Sequence, residues 1–347
     1  MQTGKTGPED PAALKEVLSD VTLFADAGCG IRLRTYQRGV AEAIVTSVLR
    51  QQGKSFVVMF PRQSGKNELQ AQIESYLLML FSQEGGKIVK VSPTWKPQSL
   101  NAMRRLESTL RRNIITKDLW QKESGHIYRI GSARTIFLSG APDANIVGAT
   151  ASLLLEVDEA QDIRPDKFDR DIAPMAAARN ATRVFWGTAW TADTLLAREL
   201  AAADGKARLA FTVDADAVAA EVPAYSAFMS AQIARFGRQH PLIRTQYFCE
   251  EIGGENRLFN EKRLSAMQGR HPSLSSPDES GGMIVFLIDV AGADETSPQG
   301  AETAASADRR DATAVTICQI CFPESENETE CSSARLPVWQ VLRRVQW

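Results

Sequence analysis

The stretch KSFVVMFPRQSGKNELQAQIESYLLMLF, residues 54–81, carries the pattern of a strand, a tight turn and a helix in that order. Its first part is short, β-branched and aromatic, which is typical of a buried strand, and its last part has the apolar spacing of a helix. A phosphate-binding loop requires this context, because the first amides and the dipole of the helix face the phosphates. The usual loop begins with Gly and ends in Lys-Ser or Lys-Thr, whereas Phe60 and Asn67 occupy those positions here. Gly65-Lys66 alone therefore leaves two interpretations, a nucleotide site or an ordinary turn.

Strands and helices alternate on both sides of this stretch. A helix is predicted from Thr35, and the strands predicted downstream are KIVKVS, HIYRI, RTIFLSG, SLLLEVD, TRVFWG and ARLAFTV. Helices are predicted over 96–112 and at TADTLLARELAAA, and two short helices close the unit. This alternation over about 160 residues predicts an α/β domain at 31–252 with a mostly parallel sheet and helices on both faces. Ligands bind such sheets at the carboxyl ends of the strands.

The composition is that of a globular protein. The 347 residues are 44% hydrophobic and 24% charged, with a net charge of −2, so a nucleic-acid partner would have to bind local basic patches. Five scattered cysteines argue against a disulfide framework and favour the bacterial cytoplasm, and the Cys318-Cys321 pair lacks the second pair or histidine of a zinc site. No apolar run is long enough to span a membrane, and the N-terminus does not resemble a signal peptide.

The sequence is less regular outside this domain. Residues 1–30 form an N-terminal segment with a short helix predicted at PAALKEVLSD and a turn at DAGCG. Residues 253–282 are rich in Gly, Ser and Pro, which predicts a linker. The strands MIVFLIDVAG, ATAVTICQI and PVWQVLRRVQW then predict a second, partial domain at 283–347.

Two adjacent carboxylates follow the predicted strand in SLLLEVDEAQ. Asp158 and Glu159 suit nucleotide hydrolysis, because one can hold Mg²⁺ while the other activates the attacking water. Taken alone, the pair also fits the acidic start of a helix. Its combination with the Gly-Lys turn favours an ATPase site, with Asp158 as the metal ligand and Glu159 as the catalytic base.

Three further features fit the same site. Tyr36 and Gln37 precede the first strand, where a ring can stack on adenine and an amide can bind its edge. Gly187 and Thr188 end another strand and suit a sensor of the γ-phosphate. Arg62, inside the loop, can bind phosphate oxygens in planar geometry. Each feature alone is also explained structurally, as a helix start, a strand end and a surface arginine.

The motifs together resemble those of a known family. PRQSGKNE, VSPTWKPQSL, GATASLLLEVDEAQDI, WGTAW and TQYFCEE occur in the order found in the large terminase subunit of tailed bacteriophages, the ATP-driven motor that packages DNA into the procapsid. The resemblance begins at about Arg32 and extends over nearly all of the chain. In that family the loop commonly begins with a basic residue rather than Gly and carries Arg-Gln before Gly-Lys, so Phe60 does not count against a nucleotide site.

The resemblance implies that the domain at 31–252 is a P-loop NTPase of the RecA-like/ASCE class. It also implies ATP and Mg²⁺ as cofactors and a role for each motif. Lys66 would bind the β- and γ-phosphates, Arg62 would act as the loop arginine, and Glu159 would activate water. The segment Gly187, Thr188 and Ala189 would couple hydrolysis to movement. The predicted ATP-binding residues are Tyr36, Gln37, Pro61, Arg62, Gln63, Ser64, Gly65, Lys66 and Asn67.

Two positions depart from the family pattern. Asn67 replaces the hydroxyl that binds Mg²⁺, although its amide oxygen is a hard donor that suits the same ion. Val147 precedes Gly148 where many relatives carry an arginine. The arginine that reaches the ATP of a neighbouring subunit is therefore open, and the candidates are Arg129, Arg134 and Arg179.

The C-terminal domain of the family is a nuclease of the RNase H type, which uses Mg²⁺ or Mn²⁺. Asp289 in MIVFLIDVAG and Asp311 before ATAVTICQI match its first acidic residues. Without the resemblance, an Asp at a strand end is more typical of a turn. Because the later acidic strands are missing from the sequence, we expect an incomplete sheet with an exposed edge and no robust nuclease activity.

The family also implies partners: double-stranded DNA, the portal protein, the small terminase subunit and further copies of the chain in a ring on the portal. Four arginines in NAMRRLESTLRR lie seven residues apart in pairs, on one side of a helix, where they can meet phosphates or simply form a solvated face. They are Arg104, Arg105, Arg111 and Arg112.

Two other functions compete with a packaging motor. A DEAD-like helicase shares the adenine-binding glutamine and the Asp-Glu pair, but it requires a second RecA-like domain after residue 250. A non-enzymatic, truncated prophage remnant is the other alternative. The presence of Lys66, Asp158 and Glu159 argues against it, and the missing nuclease half argues for it.

Overall fold

The computed structural model describes residues 11–203, 209–252, 283–289, 314–321 and 338–346. The chain divides into two units, Met1–Glu261 and Lys262–Trp347, and each is described by itself. The predicted linker at 253–282 lies outside the described residues, as does Asp311.

The first unit alternates strands and helices. Its helices are α1 (Pro11–Val17), α2 (Val21–Cys29), α3 (Thr35–Leu49), α4 (Lys66–Leu80), α5 (Leu100–Arg112), α6 (Pro165–Lys167), α7 (Leu195–Ala203), α8 (Ala215–Glu221), α9 (Pro223–Phe236) and α10 (Pro241–Phe248). Its strands are β1 (Ser55–Met59), β2 (Gly86–Ser92), β3 (Trp120–Glu123), β4 (Ile127–Ile130), β5 (Ala133–Ser139), β6 (Leu154–Val157), β7 (Thr182–Gly187) and β8 (Ala210–Thr212). Short 3₁₀ and π turns occur at Trp95–Ser99, Ala160–Asp162, Phe168–Ile172 and Ala173–Arg179.

The eight strands form one sheet in the order β3-β4-β5-β2-β6-β7-β1-β8. The pairs from β5 to β8 are parallel, whereas β4 pairs antiparallel with β3 and with β5. The predicted mixed α/β fold with a mostly parallel sheet is thus confirmed. The order places β7 between β1 and β6, and the three strands are parallel. The loop after β1 and the carboxylates after β6 therefore lie together at the carboxyl ends of the strands.

Burial on both faces explains why β1 is apolar without alternation. Phe56 and Val58 pack in one hydrophobic cluster with helices α2, α3 and α4, whereas Val57 and Met59 pack in another on the opposite face. Successive side chains of a strand point to opposite faces, so both sets must be apolar when helices cover both sides. A third cluster lies between α5 and the strands β4 and β5.

Several sequence predictions differ from the structure. The predicted turn DAGCG is instead the last part of α2, which ends at Gly30 with a left-handed φ of 67°. The helix predicted from Lys96 begins at Leu100, because Lys96 has non-helical φ and ψ values. The sequence analysis missed β3 and α8, which are short and lack a strong apolar period.

The described part of the second unit is a three-stranded antiparallel sheet in the order β11-β10-β9. Its strands are β9 (Met283–Asp289), β10 (Ala314–Cys321) and β11 (Val338–Gln346), at the three positions predicted. Asp289 is the last residue of β9 and pairs with Ala314. Cys318 and Cys321 both lie in β10.

Among the helices that the structure describes, none combines the length and the apolar character that crossing a bilayer requires.

Candidate nucleotide site

The loop after β1 has the backbone geometry of a phosphate cradle. Gly65 has a φ of 90°, a left-handed conformation that favours glycine, and it forms the N-cap of α4. Gln63 is also left-handed, with a φ of 64°. The buried Ser64 donates its hydroxyl to the carbonyl of Pro61 at 2.7 Å. The first amides of α4 have no partner within the helix, and they face the anion site together with its positive dipole end.

Phe60 departs from the usual loop because it belongs to the core. Its side chain is fully buried, and its ring contacts that of Tyr36 edge-on, with centroids 5.5 Å apart. Its backbone amide donates to the carbonyl of Gly187 at 3.1 Å. The loop therefore begins directly after a buried core residue, Phe60, rather than at a glycine.

Tyr36 and Gln37 contact the backbone of the loop. The Tyr36 hydroxyl donates to the Ser64 carbonyl at 2.7 Å, and the Gln37 amide donates to the Gly65 carbonyl at 3.2 Å. A Cβ on Gly65 would lie 2.7 Å from that amide nitrogen, so a side chain there would displace the Gln37 amide from the loop. Both residues support the loop, and neither lines the cavity beside it. The adenine contact stays a prediction.

Arg34 also contacts the backbone of the loop, although the sequence motifs did not predict it as part of the site. Its guanidinium donates to the Ser64 carbonyl at 3.0 Å and to the Tyr36 hydroxyl at 2.8 Å. The only indication of this contact in the sequence was a basic residue two positions before Tyr36. Burial raises the pKa of Tyr36, and the nearby Arg34 acts in the opposite direction.

Lys66 and Glu159 form an ion pair at the carboxyl ends of the strands. The ammonium of Lys66 lies 2.6 Å from Oε1 of Glu159, with side chains that are 9% and 26% exposed. Glu159 has a φ of 47°, which turns its carboxylate back from the end of β6 toward the loop. The structure thus joins the predicted phosphate-binding lysine and the predicted water-activating acid in one ion pair.

Asp158 follows β6 and is almost fully buried. Its Oδ1 accepts a hydrogen bond from the amide of Gln70 on α4 at 3.0 Å, and its backbone amide donates to Val91 at 2.8 Å. The exposed Asn67 lies on the same cavity wall. Within the described residues, no cluster of three or more His, Cys, Asp or Glu side chains suits a metal. One carboxylate and one amide oxygen fit Mg²⁺ that brings phosphate and water ligands with it.

A buried polar network lies behind Asp158. Lys90 on β2 donates to Glu74 at 2.8 Å and to Gln70 at 3.0 Å, and Trp186 donates to Glu156 at 3.0 Å. The sheet register pairs Lys90 with Glu156 directly. Gln70 thus joins this network to the predicted metal ligand.

Burial raises the pKa of Glu156 well above its ordinary value; Lys90 acts against this shift, and Glu74 adds to it. Oε2 of Glu74 and Oε2 of Glu156 are both buried and accept no hydrogen bond. Burial lowers the pKa of Lys90, but Glu74, Glu156 and Asp158 outweigh it and raise that pKa overall.

The segment 187–189 joins the site through Gln161. The backbone amide of Thr188 donates to Oε1 of Gln161 at 3.3 Å, and the side-chain amide of Gln161 donates to Glu159 at 2.8 Å. Ala189 is buried in the core. The sequence analysis singled out Asp158 and Glu159 but not Gln161, two residues further on, which the DEAQ string already contains.

These residues surround a cavity of about 750 Å³. Its wall includes the loop, the carboxylates and the start of α5, at Pro61, Arg62, Gln63, Gly65, Lys66, Asn67, Glu68, Asn101, Arg105, Asp158, Glu159, Gln161, Asp162 and Thr188. Burial, together with the nearby Glu159, raises the pKa of Asp162. The Arg62 side chain is exposed at the cavity, while its backbone is held by Gln246 and Tyr225.

The three candidate arginines for a neighbouring subunit lie elsewhere. Arg129 and Arg134 both pair with Glu123, at 2.6 and 3.3 Å, on the hairpin edge of the sheet. Arg179 is exposed at the end of the turn Ala173–Arg179. None of them lines the cavity. Their roles stay predictions.

The arginines of α5 form an exposed face with partial pairing. Arg105 and Arg112 pair with Glu68 at 3.2 and 3.0 Å, and Arg111 pairs with Glu107 at 2.7 Å. Together with Lys122, three of the four line a second concavity of about 740 Å³: Arg104, Arg111 and Arg112.

Comparison with known proteins supports the fold assignment. No protein-family model matches the chain, and no curated protein matches its sequence. The large terminase of bacteriophage HK97 is similar in structure, with 14% identity and a TM-score of 0.55 over 95% of this chain and 67% of that one. The large terminase ATPase domain of Thermus phage P74-26 is also similar, with 16% identity and a TM-score of 0.50 over 65% of this chain and 96% of that one. The predicted resemblance to large terminases is thus confirmed at the level of the fold.

Proposed function

We propose that this chain is an ATP-hydrolysing motor subunit of the large terminase kind. The observation that carries the proposal is the Lys66–Glu159 pair beside Asp158, at the end of a strand-loop-helix unit that has the geometry of a phosphate cradle. The fold supports it, because the similar Thermus phage structure is named a large terminase ATPase domain. The fold alone would not establish the chemistry, since unrelated functions occur on one fold.

The site supplies what phosphoryl transfer needs, which is position and charge. Lys66 and the first amides of α4 bind the phosphates, Arg62 reaches them from the loop, and Glu159 accepts a proton from the attacking water. Asp158 and Asn67 would hold Mg²⁺, which would neutralise charge on the phosphates when bound. Asp158 enters this role already oriented by Gln70.

The ATPase proposal predicts the behaviour of two variants. Lys66→Ala removes the phosphate ligand and should abolish nucleotide binding, whereas Glu159→Gln should retain binding and lose turnover, by about 100-fold or more. Phosphate release and fluorescent-nucleotide binding measure the two effects separately. Wild-type turnover no faster than that of Lys66→Ala would refute the proposal.

We infer that double-stranded DNA is the substrate moved, and that the portal protein, the small terminase subunit and a ring of further copies are the partners. The fold of the phage large terminases and the basic face of α5 support the DNA part. Stimulation of the ATPase by double-stranded DNA tests it. The absence of robust nuclease activity stays a prediction, because only Asp289 and Asp311 match the acidic residues of the family's nuclease, and Mn²⁺-dependent cutting of plasmid DNA would contradict it.

A helicase of the DEAD-like kind is less well supported. It requires a second RecA-like domain, whose sheet is parallel. The strands described after residue 252 form an antiparallel sheet instead.

A further inference from the structure

Gln161 uses both ends of its side-chain amide at the predicted catalytic site. Its nitrogen donates to Oε2 of Glu159 at 2.8 Å, and its oxygen accepts from the backbone amide of Thr188 at 3.3 Å. The short 3₁₀ turn Ala160–Asp162 after Glu159 places Gln161 between the ends of β6 and β7. One side chain therefore joins the catalytic carboxylate to the segment 187–189.

The end of β7 is shaped to admit this side chain. A Cβ on Gly187 would lie 2.2 Å from Oε1 of Gln161 and 2.6 Å from Cδ2 of Leu196. Real carbon atoms do not approach an oxygen so closely, so the contact exists only because residue 187 lacks a side chain. Gly187 thus has a specific steric role that does not depend on a left-handed φ.

The two oxygens of the Glu159 carboxylate have different partners. Lys66 lies 2.6 Å from Oε1, and Gln161 donates to Oε2. Lys66 is a point charge at the anion site, so nucleotide phosphates compete with Glu159 for it. Once the phosphates bind Lys66, the carboxylate is freed at Oε1 to accept a proton from water, and Gln161 remains its partner at Oε2.

We propose that Gln161 is a positioning residue that orients the Glu159 carboxylate for water activation and transmits the loss of its Lys66 partner to Thr188. The inference rests on the proposed ATPase function and deepens it. It assigns the link between hydrolysis and the segment 187–189 to one amide side chain. The absence of a side chain at Gly187 is part of the same arrangement, because it leaves room for the Gln161 amide.

The test compares three variants with a matched control. Gln161→Ala removes both hydrogen bonds, Gln161→Glu keeps the shape and the acceptor but loses the donor, and Gly187→Ala displaces the amide. Gln232→Ala on α9, outside the cavity, controls for loss of a glutamine side chain. Turnover, KM and pH dependence are measured for each, with melting temperature as a check on folding.

We expect Gln161→Ala to lower kcat by about 10-fold to 100-fold, with KM and nucleotide affinity near the wild-type values. Gln161→Glu should regain activity relative to wild type as the pH falls from about 8 to about 6, because a carboxyl beside Glu159 protonates readily and then donates to it. Gly187→Ala should lower kcat similarly. The double variant with Gln161→Ala should be no worse than either single variant, because both act on one contact.

The outcomes separate the two proposals. Wild-type turnover equal to that of Lys66→Ala would overturn the ATPase function, and this inference with it. An active wild type with unchanged kcat in Gln161→Ala would overturn the inference alone. If Gln161→Ala unfolds, the isosteric Gln161→Glu decides, since a pH profile parallel to that of wild type would contradict a donor role.

Discussion

At the scale of single residues, the site depends on a few charges that the core isolates from water. Glu156 and Lys90 are fully buried opposite each other, and Glu74 shares their network. Breaking the buried Lys90–Glu74 ion pair, whose atoms lie 2.8 Å apart, costs more than replacing both residues, because the remaining charge is left buried alone. Substitutions in this network should therefore differ in their effect on the free energy of unfolding, according to whether they leave a buried charge unpaired.

The raised pKa of Glu156 predicts how stability depends on pH. Above the ordinary value of 4.5, the folded state holds a proton that the unfolded state has released, so stability falls as pH rises toward the folded pKa. Glu156→Gln should remove that slope, so the variant should gain stability relative to the wild type as the pH rises from about 4.5 to neutral. Urea unfolding at several pH values measures it, and the exposed Glu42→Gln serves as control. A wild-type slope retained in Glu156→Gln would contradict a raised pKa of Glu156 as its cause.

In contrast, Lys90→Met should destabilise the protein by about 3–5 kcal/mol, because it leaves the buried Glu74 without its cation. The same unfolding experiment reports this change. Equal effects of Lys90→Met and Glu156→Gln would show that the two positions do not differ in charge state.

At the scale of elements, α4 and α5 carry the charges that face the nucleotide and a possible DNA partner. Glu68 in the first turn of α4 pairs with Arg105 and Arg112, which reduces the positive charge of α5 on that side. Arg104 has no ion pair among the described residues and lies beside Arg111 at the second concavity. The positive charge of this face that no described carboxylate offsets is therefore that of Arg104, whereas Arg111 pairs with Glu107.

The α5 face predicts the salt dependence of DNA binding. Replacing Arg104 and Arg111 together by Ala should weaken binding for all sequences and reduce the slope of log affinity against log salt by about two. Filter binding or anisotropy over a salt series measures it. Arg50→Ala, an exposed arginine at the end of α3, is the control. An unchanged slope would place the DNA contacts elsewhere.

At the scale of the whole molecule, the nucleotide site joins segments far apart in sequence. The cavity is lined by residues of the loop at 61–67, by residues of α5 and by the residues after β6 and β7. A ligand there stabilises all of these segments together, because it binds only when they are assembled.

MgATP should therefore raise the melting temperature of the first unit. At 100 times the dissociation constant the gain is about 2.7 kcal/mol, or roughly 5–10 °C for a unit of this size. Calorimetry with MgATP, with Mg²⁺ alone and with Lys66→Ala measures the shift. A shift that persists in Lys66→Ala would place the nucleotide outside the loop.

The sequence by itself determined the elements and the main chemical groups. The apolar runs of β1 and β6, the periodic helix α4 and the motifs at Gly65-Lys66 and Asp158-Glu159 all follow from local patterns. Burial on one or two faces imposes those patterns residue by residue. The predicted α/β class is confirmed for this reason, and the errors occur where the pattern is short, as in β3 and α8.

Only the tertiary structure decided which groups meet. The strand order places β7 between β1 and β6, which lets Gln161 reach both Glu159 and Thr188. The register places Lys90 opposite Glu156, although each looks like a misplaced charge within an apolar strand. Such contacts depend on the pairing of strands distant in the chain, and local periodicity carries no information about that pairing.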